Sequence, residues 1–78
     1  MSNGTSNTQI AFAVTMGDSG WPTVIAHTAD GVFEVCTTTD FSDAHIVETL
    51  LDMILKDHGA DQAQKYAEAL ARQHDLLD

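Results

Sequence analysis

The hydrophobic period changes once along this chain, near Thr39. Residues 9–38 alternate between apolar and polar or small side chains, whereas apolar residues recur every three to four positions over 40–77. Alternation sends successive side chains to opposite faces of a strand, and the longer period lines one side of a helix. A chain that switches rhythm once segregates its strands from its helices, which is the α+β pattern.

In the first strand, Ile10, Phe12, Val14 and Met16 share one face, and Ala11, Ala13 and Thr15 share the other. Gly17-Asp18-Ser19-Gly20 supplies residues suited to a turn. A second strand follows over 21–28, with Pro22 confined to its start because proline has no N–H for a ladder. Asp30-Gly31 signals a second hairpin into a third strand over 32–38.

Two registers fit that hairpin. A tight Asp30-Gly31 turn sets His27 opposite Glu34 and gathers Val24, Ala26, Phe33 and Val35 on one face. A three-residue Ala29-Asp30-Gly31 loop with a bulge gathers Trp21, Ile25, Phe33 and Val35 instead. The second is preferred here, since it yields the larger apolar face.

The first helix begins near Asp40 or Ser42. Asp40 and Asp43 are spaced like a capping box, and both suit the positive end of the helix dipole. Ala44, Ile46, Val47, Leu50, Leu51, Met53, Ile54 and Leu55 sweep an arc of roughly 180–200°. That arc is wide enough to bury two sides. Gly59 closes the helix as a C′ residue, and Asp61 with Gln64 opens the next through a second capping box. Ala63, Tyr66, Ala67, Leu70, His74 and Leu77 then make a narrower stripe, whose alanines permit close approach of the first helix. The predicted fold is a three-stranded antiparallel meander followed by an antiparallel pair of helices, βββαα.

At 78 residues the chain reads as one domain over 9–78, preceded by a polar tail, residues 1–8, expected to be disordered. A domain this short buries only roughly 60% of its unfolded surface. Its thin core calls for a staple or a partner. Cys36 is the single cysteine, so no internal disulfide is available, and an unpaired thiol suits a reducing, cytoplasmic setting. The apolar run at 10–14 is too short for a signal core or a membrane span.

Twelve acidic residues against three basic ones leave a net charge of −9. That balance argues against nucleic acid and anionic membranes as partners. Each cation also follows an acid by four positions, in the pairs Asp52–Lys56, Asp61–Lys65 and Glu68–Arg72. Such pairs on a helix oppose the formation of a basic patch.

Few residues suggest chemistry. His45, Glu48 and Asp52 could present a nitrogen and two carboxylates to a metal, but they fall on the polar side of the first helix, as an ordinary solvated face does. His74 lies within an apolar stripe and is a fourth candidate ligand, weighed against a structural role near a fraying end. His58 suits the negative end of the first helix. Cys36 has no neighbouring cation or helix N-terminus to activate it. Ser19 lies between glycines, but without the strand–turn–helix context of a nucleophile elbow. Neither a catalytic residue nor a cofactor is predicted.

The βββα order with an acidic helix is similar to small antitoxin domains of the HicB type, in which a Gly-aromatic pair opens the second strand as Gly20-Trp21 would here. The similarity spans residues 9–55. It departs at the second hairpin, where that family carries a longer Pro-containing connection and this chain has Ala29-Asp30-Gly31. The resemblance is one of element order; the net charge separately suggests, as a third reading, an acidic inhibitor or antitoxin-like protein for a basic partner.

The residues themselves favour a non-enzymatic protein–protein interaction module that self-associates as a homodimer. Ala11, Ala13, Val24 and Ala26 are expected on a sheet face left open by the helices, and Ile46, Leu50 and Met53 on the surplus part of the helical arc. Exposed apolar patches of this kind mark interfaces. A small metal-binding or enzymatic domain built on the helix histidines and carboxylates is the alternative from another class.

Overall fold

A computed structural model describes residues 9–18 and 20–77, with the side chains of 74–77 outside the description. The tail predicted to be disordered, residues 1–8, and Ser19 lie outside the described residues. Three strands, β1 (Ile10–Met16), β2 (Pro22–Thr28) and β3 (Gly31–Thr37), form one antiparallel sheet in the order β1-β2-β3. Helices α1 (Phe41–His58) and α2 (Ala60–Leu77) follow. The order is the βββαα arrangement expected from the change of period.

β1 and β2 pair without interruption from Ile10 opposite Thr28 to Met16 opposite Pro22. Because the pleat alternates sides, Ile10, Phe12, Val14, Val24 and Ala26 share the face beneath the helices. Val24 and Ala26 are therefore fully buried core residues. The expectation that they line an open sheet face with Ala11 and Ala13 is corrected: β1 residue 12 pairs with β2 residue 26, which puts the even-numbered residues of both strands on the same side.

The second hairpin adopts neither expected register. Thr28 pairs with Gly31, so the loop consists of Ala29 and Asp30 alone. Thr28 supplies the reason. Its hydroxyl donates to the Gly31 carbonyl at 2.9 Å and accepts the Asp30 N–H at 3.2 Å, closing the turn one residue earlier than Asp30-Gly31 would. His27 consequently faces Val32, and Glu34 faces Ile25. The preferred grouping around Trp21 and Ile25 does not form: Trp21 is half exposed, and Ile25 lies on the face away from the core. A bulge between Ile25 and Val24 leaves Val35 unpaired on β3, and this turns both Val35 and Cys36 toward the core.

β3 hands over to α1 through Thr38. Its N–H donates to the Pro22 carbonyl at 2.8 Å and its hydroxyl to the Asp40 carbonyl at 2.8 Å. Asp40 then caps α1, accepting the Asp43 N–H at 2.8 Å. α1 lies over β1 and β2, and α2 lies mainly over β3. Gly59, at φ +94°, is the only residue between the helices. Its N–H donates to the Leu55 carbonyl and its own carbonyl accepts the Ala63 N–H, each at 3.1 Å. Glycine suits this positive φ, which other residues reach only with strain. The second capping box is corrected accordingly. Asp61 lies inside the first turn of α2, and Gln64 donates instead to Glu68 at 3.1 Å.

Leu51 and Ala44 from α1, and Ala63 and Ala67 from α2, meet the sheet residues in one core. Among the described residues, four of the nine buried apolar side chains are alanines, so the core is small in volume as well as in number.

Candidate interaction surface

α1 packs against both the sheet and α2, yet these contacts do not use up its apolar arc. Ala44 and Leu51 are fully buried, and Val47, Ile54 and Leu55 are partly so. Ile46, Leu50 and Met53 keep 65%, 44% and 55% of their surface exposed. At 3.6 residues per turn these three fall within about 60° of one another, on the side of α1 turned from the sheet. With His45 and Thr49 they line a shallow groove of about 400 Å³. A second groove, about 480 Å³, opens where the helices meet, between Ile54 and His58 of α1 and Gln62, Lys65 and Tyr66 of α2.

The sheet contributes less apolar surface than expected. On the face away from the helices, Ala11 is exposed, and Ala13 and Ile25 are half-buried. This face carries no large exposed side chain from β1, so it is a weaker candidate than α1. Sequence reasoning missed Val32, which is well exposed beside the β2–β3 turn, and Met16, at the end of β1. Val32 pairs with His27 on the face away from the helices, and Met16 shares the covered face of β1 but ends the strand.

The metal candidates do not converge. His45 Nδ1 lies 3.2 Å from Glu48 Oε1 on an exposed stretch of α1. Asp52 does not complete the set: among the described residues, no group of three or more His, Cys, Asp or Glu side chains is placed to hold a metal ion. The His74 side chain lies outside the described residues. Partial burial raises the Asp52 pKa, and the neighbouring Glu48 charge adds to the rise.

Among the described residues, the three predicted i,i+4 ion pairs are not closed to within 4.0 Å, and His45–Glu48 is the pair that is. Glu68 takes the Gln64 amide. Cys36 is half-buried and unpaired, and burial pushes its thiol pKa up, away from reactivity. No described helix is long and apolar enough to cross a membrane. Comparisons with protein-family models, with characterised proteins and with solved structures found no match for this chain.

Proposed function

We propose that this protein is a small acidic protein–protein interaction module without catalytic activity, and that it self-associates. The observation that carries the interaction-module reading is the stripe Ile46, Leu50 and Met53, which stays exposed after α1 has made both of its internal contacts. Large apolar side chains grouped on one helix face cost solubility unless a partner covers them. The thin, alanine-rich core supports self-association, since a second copy would add burial that a chain of 78 residues lacks. The net charge of −9 supports a protein partner over nucleic acid or an anionic membrane. The unpaired Cys36 supports a reducing, cytoplasmic setting.

Sedimentation equilibrium of the full chain, across at least a tenfold concentration range, tests self-association by mass action. The expected result is a mass that rises toward that of a dimer. A monomeric mass throughout, at high micromolar concentration, would overturn self-association and leave the α1 stripe to a different protein. An acidic inhibitor of a basic partner is supported by the charge alone.

A further inference from the structure

β1 is an open sheet edge that lacks two of the features that keep edges apart. It pairs with β2 on one side only, and among the described residues nothing hydrogen-bonds to its other side. Its sequence, IAFAVTM, contains no charge, no proline and no glycine, and its pairing with β2 has no bulge. The opposite edge differs. β3 carries Glu34 and is bent by the bulge at Val35, while each edge strand has one helix over it, α1 on β1 and α2 on β3. Charges, bulges and covering elements are the usual protections of an edge strand, and β1 lacks the first two.

We infer that two copies of this chain join through their β1 edges, antiparallel about a twofold axis at Ala13, into a continuous six-stranded sheet. This rests on the self-association proposed above, which the thin core supports, and assigns it to the strand edge, leaving the α1 stripe to a different protein. Two arguments select a second copy as the occupant. The first is charge. Each copy carries −9, so like-charge approach is least costly where no ionisable group intervenes, and β1 supplies seven consecutive uncharged residues.

The second argument is register. Pairing about Ala13 uses all seven residues: Ala13 meets its own copy, Phe12 meets Val14, Ala11 meets Thr15, and Ile10 meets Met16. Every large side chain then falls on the helix-covered face and every small one on the other. Met16, 54% exposed in one chain, gains Ile10 of its partner as a neighbour. A slip of one residue would set large side chains against the wrong face, and a slip of two would leave two residues of each strand unpaired. Twofold closure consumes the β1 edge of both copies, and the two β3 edges that remain carry Glu34 and the bulge, so the assembly stops at two.

The test exploits residue 13 meeting itself. Ala13→Lys lowers the net negative charge and Ala13→Glu raises it, yet each should weaken dimerisation by tenfold or more, measured by sedimentation equilibrium with circular dichroism to confirm folding. Mixing the two variants should restore a heterodimer, because opposite charges then meet at the axis. Leu50→Lys, on the α1 stripe, should leave the dimer intact. Loss of the dimer in Leu50→Lys, with both Ala13 variants unaffected, would overturn the edge assignment while sparing self-association. A wild-type chain that stays monomeric would overturn both. Hydrogen exchange on the wild-type protein needs no substitution: alternate amides across 10–16 should slow as concentration drives association. Exchange there that is unchanged while the dimer forms would also sink the proposal.

Discussion

Gly17 and Thr23 lie so close across the first turn that a Cβ on Gly17 would meet the Thr23 hydroxyl oxygen at 2.6 Å. Thr23 cannot swing aside freely. It is 1% exposed, and its hydroxyl donates to the Trp21 carbonyl at 3.0 Å, which also accepts the Gly17 N–H at 3.0 Å. Gly17→Ala should therefore destabilise the fold by about 1–3 kcal/mol through overpacking. Thr23→Ala in the same chain should recover part of that loss. A double-mutant cycle by urea denaturation measures the coupling, and strict additivity would mean that the two residues do not collide.

Among the described residues, Leu51 is the largest fully buried side chain, and it sits where α1 meets the sheet and α2. Truncation to alanine removes apolar contact and leaves a cavity that a small core has few side chains to fill. Leu51→Ala should cost about 2–5 kcal/mol, a large share of the stability of any domain this size. Denaturant titration checks it. A loss below about 0.5 kcal/mol would contradict the packing described for α1.

Asp52 offers a pH signature. Its folded-state pKa is raised, first by partial burial and then by Glu48 one turn earlier. A carboxyl with a raised pKa binds its proton more tightly when folded, so stability falls as pH rises through the range between the ordinary and the raised value. Asp52→Asn should thus be mildly stabilising at neutral pH, by about the 0.2–0.5 kcal/mol of an i,i+4 like-charge contact, and without effect below pH ~3. Thermal melts at the two pH values make the comparison. A variant less stable than wild type at neutral pH would show that the carboxylate is a favourable partner there.

Cys36 should resist modification. It is half-buried, turned inward by the bulge at Val35, and its thiol pKa is raised by burial. Reaction with an aromatic disulfide reagent at pH 8 should run at least tenfold slower in native protein than in denaturant, since thiolate is the reactive form. Equal rates would mean that the strand opens readily or that the thiol faces solvent.

The contrast between α1 and the second hairpin shows where sequence reading succeeds. Asp40 and Asp43 specify the start of α1, and Gly59 its end, through bonds spanning three or four residues. Such bonds form or fail locally, so spacing alone reveals them. The same holds for the alternation in β1 and for the order of the five elements. The β2–β3 register was not legible, because the Thr28 hydroxyl competes with Asp30-Gly31 for control of the turn, and periodicity does not rank a side-chain bond against a glycine preference. The bulge at Val35 escapes for a related reason: it turns two successive residues inward, which strict alternation excludes.

The candidate surface divides the same way. From the sequence alone came the over-wide arc of α1, and with it Ile46, Leu50 and Met53 as residues in excess of one contact. Which part of that arc stays uncovered was decided by α2, held by a single-residue connection at Gly59 that lays Ala63 and Ala67 into the core and leaves Ile46, Leu50 and Met53 outside. Val24 and Ala26 went the opposite way, from expected surface to buried core, when pairing with β1 set the face of β2. Local rhythm determines which side chains can share a face. Only the packing of whole elements against one another determines which of those faces water still reaches.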